Sequence, residues 1–333
     1  MKDLCNYSLL AHNTFGINAR CARFLEYETA IEAQQVAEIL RESSLPYIII
    51  GGGSNLLLTR DFPGIVVHSA VKGWDIAGKR MACGSGEVWD DIVAISLRNG
   101  LYGAENLSLI PGDVGASAVQ NIGAYGVEAK DFIREVHAIE IATGRLCIID
   151  SADCNYGYRQ SRFKEEWKNR FLITMVVYEF SDTFHPRLDY GNIRGEMERQ
   201  GISEPTPQQL RQIIIDIRNA KLPDPQVQGN AGSFFMNPVV SRAKYEELAA
   251  QYPQMPHYTI GSESEKIPAG WMIEQCGWKG KALGRAGVHD KQALVLVNLG
   301  GATGQEVVDL CETIRRDVHD KFDIDIHPEV NII

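Results

Sequence analysis

Tyr47-Ile48-Ile49-Ile50-Gly51-Gly52-Gly53-Ser54-Asn55 is the stretch on which the fold turns. Pro46 introduces a short apolar strand, and the strand stops at three glycines. Successive glycines let backbone N–H groups converge on one point and form a concave anion site. Ser54 and Asn55 add side-chain donors. A tight strand-to-strand turn accounts for the same residues equally well, since isolated glycine-rich turns are common. The segment is not a G-x-G-x-x-G run entering a helix, and it lacks the Gly-Lys-Ser/Thr ending of a P-loop. A Rossmann dehydrogenase and a P-loop ATPase are both disfavoured.

Outward from this turn the pattern is mixed. Thr29 and Glu32 make a capping box ahead of an amphipathic stretch that runs to Ser43. A second strand at 65–68 completes a small α/β unit. A helix is expected over 88–99, with Gly100 as its stop. Residues 135–149 alternate and turn at Thr143-Gly144, as a hairpin does. A further strand is expected over 171–180. Thr206-Pro207-x-Gln209 is another capping box, with proline at the first helical position. It opens a helix carrying Ile213, Ile214 and Ile217 inward, which Pro223 and Pro225 prevent from continuing. A domain boundary is expected near Lys221. Beyond it the pattern predicts helices over 242–251, 269–276 and 305–321, and strands over 293–298 and 324–333.

A net charge of −10 repels nucleic acid and anionic membrane, so neither is expected as a partner. The seven cysteines are scattered, with no C-x-x-C pair. That fits reduced thiols in a cytosolic protein, not a disulfide framework or a zinc site, and no metal is expected. The N-terminal residues do not read as a signal peptide, and no apolar run approaches about 18 residues.

A second small-residue segment changes the weight of the first. Pro111-Gly112-Asp113-Val114-Gly115-Ala116-Ser117 leads to Gln120-Asn121-Ile122-Gly123-Ala124-Tyr125-Gly126. Alone it could also be a packed turn, the lesser of the two readings. Two such segments suggest a long cofactor with a phosphate-rich middle, such as a dinucleotide.

Further blocks follow. They are Asn13-Thr14-Phe15-Gly16, Tyr156-Gly157-Tyr158-Arg159-Gln160-Ser161-Arg162-Phe163, Lys221-Leu222-Pro223-Asp224-Pro225 and Gly229-Asn230-Ala231-Gly232-Ser233-Phe234-Phe235-x-Asn237-Pro238. Ala269-Gly270-Trp271, Gln292-Ala293-Leu294 and His327-Pro328-Glu329-Val330 complete the series. With 51–57 and 111–126, these blocks resemble the UDP-N-acetylenolpyruvoylglucosamine reductase (MurB) family, longer form, over nearly the whole chain. The resemblance implies an α+β protein. A two-lobed FAD-binding fold of the vanillyl-alcohol-oxidase/PCMH type would occupy 1–69 and 70–219. A C-terminal α/β substrate-binding domain would occupy 220–323, with the strand at 324–333 returning to the first lobe.

The same resemblance implies a cytoplasmic, monomeric enzyme of cell-wall precursor synthesis. It would hold FAD, consume NADPH, and reduce UDP-N-acetylglucosamine enolpyruvate to UDP-N-acetylmuramate. Flavin oxidases of this fold that bind FAD covalently use a His or Cys in the first loop. The segment 51–57 has neither, so FAD is expected to be non-covalent. The implied cofactor contacts are Gly51, Gly52, Gly53, Ser54, Asn55, Leu56, Gly112, Gly115, Ser117, Gln120 and Gly123. The implied catalytic residues are Ser233, Arg159 and Glu329. Implied substrate contacts are Tyr190, Lys221, Asn237, Tyr258 and Gln292.

Read without the resemblance, these residues have plainer explanations. Arg159 would be a surface ion pair, and Ser233 a structural hydroxyl bonded to nearby backbone. Glu329 would be a solvated carboxylate, and Lys221 a cation at a helix C-terminus. No G-x-S-x-G elbow surrounds Ser233, which disfavours a hydrolase. Asn331 and Ala116 stand where family members often have Arg and Ser, and the chain ends early at Ile333. The competing functions are a flavin oxidase using molecular oxygen and a nucleotide-sugar binding protein without turnover.

Overall fold

The apolar run after Pro46 forms the strand Tyr47–Ile50, which pairs in parallel with Phe62–Ser69, Tyr47 opposite Ile65 and Ile50 opposite His68. β-Branched residues favour this pleated, buried setting. The computed structural model describes residues 1–333. The chain divides into two units. The first takes Met1–Tyr7, Cys21–Gly52 and Pro63–Ala220; the second takes Ser8–Arg20, Gly53–Phe62 and Lys221–Ile333.

In the first unit, one four-stranded sheet runs in the order Lys2–Ser8, Arg20–Tyr27, Phe62–Ser69, Tyr47–Ile50. Helix α1, Ala30–Glu42, buries Ala33, Val36, Ala37 and Leu40. Thr29 caps it by accepting the Glu32 N–H. The five-stranded sheet runs Leu146–Asp150, Ile133–Glu140, Phe171–Glu179, Arg80–Gly84, Trp74–Ala77. Its hairpin turns at Gly144, whose φ is +70°. Helices α2, Trp89–Arg98, and α3, Val114–Gln120, share its core with Val136 and Tyr178. Sequence reading separates the two sheets into lobes. Contacts join them in one unit, because Ile139, Ile141 and Leu172 of the second pack with Leu25, Ile65 and Val67 of the first. Helices α4, Ile193–Arg199, and α5, Pro207–Lys221, share a smaller core of Ile193, Met197, Leu210 and Ile213. The capping box at α5 is present in both directions between Thr206 and Gln209.

The second unit holds α6, Arg242–Gln251, α7, Ala269–Gln275, and α8, Gly304–Phe322. Its larger sheet runs Asn230–Ser233, Val295–Asn298, Ala286–Val288, Ala282–Leu283. The strand expected over 324–333 is much shorter. It pairs in two short pieces: Pro328 bridges antiparallel to Phe235, and Asn331–Ile332 pairs in parallel with Leu56–Leu57. The segment changes partner between Glu329 and Asn331, so no single ladder runs along it. No helix is long and apolar enough to cross a membrane.

Candidate active site

In the first unit the two glycine-rich segments meet. A Cβ on Gly52 would lie 3.2 Å from Asp113 Oδ1 and 3.5 Å from Gly112 Cα. A Cβ on Gly51 would lie 3.2 Å from the Ala116 Cβ. Ala116, where family members often carry Ser, is therefore packed against this turn. The second segment is held by backbone bonds. Trp89 N–H donates to Gly112 O, Val114 N–H to Glu87 O, and Gly115 N–H to Ser85 O. Gly115 is small for a packing reason, since a Cβ there would lie 3.1 Å from Ser85 Cβ.

Gln120 ends α3 with its Oε1 buried and without a hydrogen-bond partner. A buried, unsatisfied acceptor is costly and marks a place where a ligand donor belongs. That orphaned oxygen, at the end of the helix that the second glycine-rich segment opens, fits a flavin dinucleotide. Ser117 behaves differently from the expectation of a cofactor contact. Its hydroxyl is buried, donates to Val114 O at 2.7 Å and lies 2.7 Å from the Tyr178 hydroxyl. It braces α3.

The chain then turns back through Asn121, whose amide donates to Gly157 O, and Ser161, whose hydroxyl donates to Val119 O. These bonds anchor a tight turn in which Gly157 and Gln160 exchange backbone hydrogen bonds. Arg159 sits in that turn at φ +56°. A non-glycine residue there is uncommon, and the left-handed conformation costs about 1–2 kcal/mol. Arg159 is half-buried, and Nη2 donates to Gly123 O at 2.7 Å. The Gly123 carbonyl thus helps to fix the guanidinium in place. Sequence reasoning missed its neighbour Arg218 on α5. Burial lowers the Arg218 pKa, Tyr125 and Asp90 oppose that, and the nearby charge of Arg159 adds to it. Two guanidiniums held close repel each other, and an anion relieves the repulsion. Tyr190 packs beside Gly126 and is substantially exposed.

In the second unit, Asn13 fixes the loop before Gly53. Its amide donates to Leu9 O and Ile17 O and accepts from Ile17 N–H. Thr14 N–H donates to Gly53 O, and the Thr14 hydroxyl donates to Asn230 O at 2.6 Å. Buried Asn230 in turn accepts the Gly232 N–H and donates to Pro223 O and Gln228 O. This polar scaffold sets the turn that presents Ser233. Ser233 is exposed at the end of its strand, and its hydroxyl makes no hydrogen bond within the protein. The plainer reading of a structural hydroxyl is excluded.

Glu329 is half-buried on the adjoining segment, its N–H donating to Phe234 O. Ser233 and Glu329 are thus brought onto neighbouring, hydrogen-bonded stretches. Asn55 spends part of its amide on Glu329 O, and Asn331 donates to Asn55 O from both backbone and side chain. Leu56 is buried, and its strand pairs with Asn331–Ile332. Asn237 accepts the Ala269 N–H at the start of α7, and Gln292 accepts the Leu294 N–H. Tyr258 is substantially exposed, with Lys266 Nζ 5.5 Å from its ring centre. Lys221 is the exposed last residue of α5.

A relative from Bacteroides fragilis (strain YCH46), UDP-N-acetylenolpyruvoylglucosamine reductase, is 53% identical, over 98% of this chain and 99% of its own. The chain belongs to the UDP-N-acetylenolpyruvoylglucosamine reductase family. A second member, from Flavobacterium johnsoniae, is 43% identical over 100% of both chains. The family's C-terminal domain model matches residues 224–333, and an FAD binding domain model matches 22–150. The crystal structure of a reductase of this family (MurB) from Thermus caldophilus shares the fold, with TM-score 0.67 and 22% identity over 99% of this chain and 98% of that one. As a member of the reductase family, the chain is an FAD-dependent oxidoreductase.

Proposed function

We propose that this chain reduces the enolpyruvyl ether of UDP-N-acetylglucosamine enolpyruvate to UDP-N-acetylmuramate at the expense of NADPH, through non-covalent FAD. The reading includes a monomeric enzyme acting in the cytoplasm, in peptidoglycan precursor synthesis. The observation that carries it is the meeting of Gly51–Gly52 with Gly112 in a member of this reductase family.

Gly51, Gly52, Gly53, Ser54, Asn55, Leu56, Gly112, Gln120 and Gly123 would contact the cofactor. Gly115 and Ser117 would shape α3 behind them. Bound FAD supplies the hydride, taken from NADPH, and the protein supplies alignment and electrostatics. Arg159 grips the enolpyruvyl carboxylate and stabilises the negative charge that develops beside it when hydride reaches the terminal carbon. Ser233 delivers the proton to the carbon that carries the charge. A hydroxyl is a weak acid, but a carbanion is a very strong base, and a hydroxyl with no internal partner is available to it. Glu329 acts with Arg159 in stabilising that charge distribution. Lys221 meets the diphosphate, and Tyr190, Asn237, Tyr258 and Gln292 contact the nucleotide sugar.

An absorption spectrum before and after NADPH tests the reading. The purified protein should be yellow, carry about one FAD per chain, bleach with NADPH, and regain colour with the enolpyruvyl sugar. Acid precipitation should release the flavin. A colourless protein without NADPH turnover would support a binding protein. Rapid oxygen consumption with a simple alcohol would support an oxidase.

A further inference from the structure

His68 ends the pairing of Phe62–Ser69 with Tyr47–Ile50, immediately beside Gly51 in the sheet register. Its ring stands between two carboxylates. Nδ1 lies 2.9 Å from Glu26 Oε2, and Nε2 lies 3.7 Å from Asp113 Oδ2. The Glu26 contact is a hydrogen bond that a neutral ring also makes, whereas 3.7 Å to Asp113 is an ion-pair distance; only the imidazolium attracts both carboxylates. Asp113 is also unusual. It is the N-cap of α3, a place where an Asp side chain ordinarily accepts from the helix's first N–H groups. Here the side chain makes no such bond. Its carboxylate lies across the glycine turn instead, Oδ2 3.3 Å from the Cβ position of Gly51 and Oδ1 3.2 Å from that of Gly52.

We propose that His68 is a positioning residue for the flavin cofactor: through Asp113 it holds the Gly51–Gly52 turn in its phosphate-receiving shape, and it does so only as an imidazolium. The proposal rests on reading that turn as the seat of the FAD phosphates. Loss of the proton leaves two carboxylates facing a neutral ring. Asp113 is then released toward the N–H groups of α3, and its charge near the diphosphate is no longer offset.

The groups facing His68 are Glu26 on the neighbouring strand and Asp113 at the cap of α3. Lys2 reaches it through Glu26, and Phe24 stacks on the ring with Tyr7 behind. Burial pulls the imidazolium pKa down, but Asp113 and Glu26 outweigh it, and the net direction is upward. The clamp is therefore complete below the ordinary value of about 6.5 and is lost as pH rises through the raised value.

The test uses the full chain. FAD is titrated into flavin-stripped protein from about pH 6 to about pH 9, and its release from the holoprotein is followed by flavin fluorescence. Wild type should lose about tenfold in FAD affinity across one titration, the change that follows when FAD binding moves the His68 pKa by one unit. His68→Gln should give a flat profile at the wild-type alkaline value, and Asp113→Asn, which removes the charge that His68 offsets, should also lose the step. Glu26→Gln should move the step to lower pH, and it serves as the second variant if His68→Gln does not fold. A His68→Gln protein that keeps the wild-type step overturns the proposal, even if its melting temperature falls. So does a wild-type profile with no step. If Gly52→Ala leaves FAD affinity unchanged at every pH, the turn is not the phosphate seat, and the proposal falls with that reading for a distinguishable reason.

Discussion

Replacing Ser233 by Ala separates chemistry from structure unusually well. The Ser233 side chain is exposed and its hydroxyl has no partner within the protein. Removing it breaks no hydrogen bond and opens no cavity, so folding stability should change by no more than about 0.5 kcal/mol. Its strand is fixed by other groups, namely Asn230 and the Thr14 contacts. The geometry around the missing hydroxyl should therefore persist. A positioned general acid contributes about 10²–10⁴-fold, or roughly 2.7–5.5 kcal/mol of barrier. Stopped-flow absorbance of the flavin band resolves the two phases. Reduction by NADPH generates no carbanion and should proceed as in wild type. Reoxidation by the enolpyruvyl sugar should slow by the factor given, with the loss in turnover and not in substrate affinity. Ser233→Cys should recover part of the rate, since a thiol also donates a proton. Equal slowing of both phases, or of neither, would refute the assignment and move the proton donor to a water held by Glu329.

Gly53→Ala should destabilise the second unit by about 2–4 kcal/mol. The new Cβ would fall 2.6 Å from the His12 carbonyl carbon and 2.7 Å from Asn13 Cα, at a φ of +69°. Thermal denaturation of the full chain measures this, and an unchanged melting temperature would mean that the loop at His12 yields freely. Lys221→Ala should raise the Michaelis constant for the sugar nucleotide with little change in turnover, because the diphosphate is remote from the reacting carbon. Lower thermal stability with unaltered affinity would return Lys221 to a helix-end role.

The elements with local causes could be read from the sequence. The boxes at Thr29 and Thr206, the apolar run at 47–50 and the turn at Thr143-Gly144 each specify their geometry within a few residues. What the sequence concealed depends on partners far along the chain. Nothing near Glu26, His68 or Asp113 indicates that the three converge, and Arg218 looks like one more exposed helix cation. Ser117 illustrates the opposite error. Its motif suits a cofactor donor, but Tyr178, from a distant strand, takes its hydroxyl into the core. The final strand was overread because alternation at 324–333 is real, whereas the segment exchanges Phe235 for Leu56 as its partner within three residues.

The second unit is assembled from three stretches of chain, two of them from the N-terminal fifth and the last beginning at Lys221. Phe15 is fully buried and meets the ring of Phe234 edge-on at 6.2 Å. On a ribosome adding about 5–20 residues per second, Phe234 follows Phe15 by roughly 10–40 s. Through that interval Phe15 has been made but lacks the ring against which it packs. The nascent chain carries a sticky N-terminal segment for most of its synthesis, and a fragment beginning at Lys221 lacks that segment altogether. Expression trials of this unit therefore belong with the intact chain, or with a permuted one in which 8–20 and 53–62 are supplied beside it.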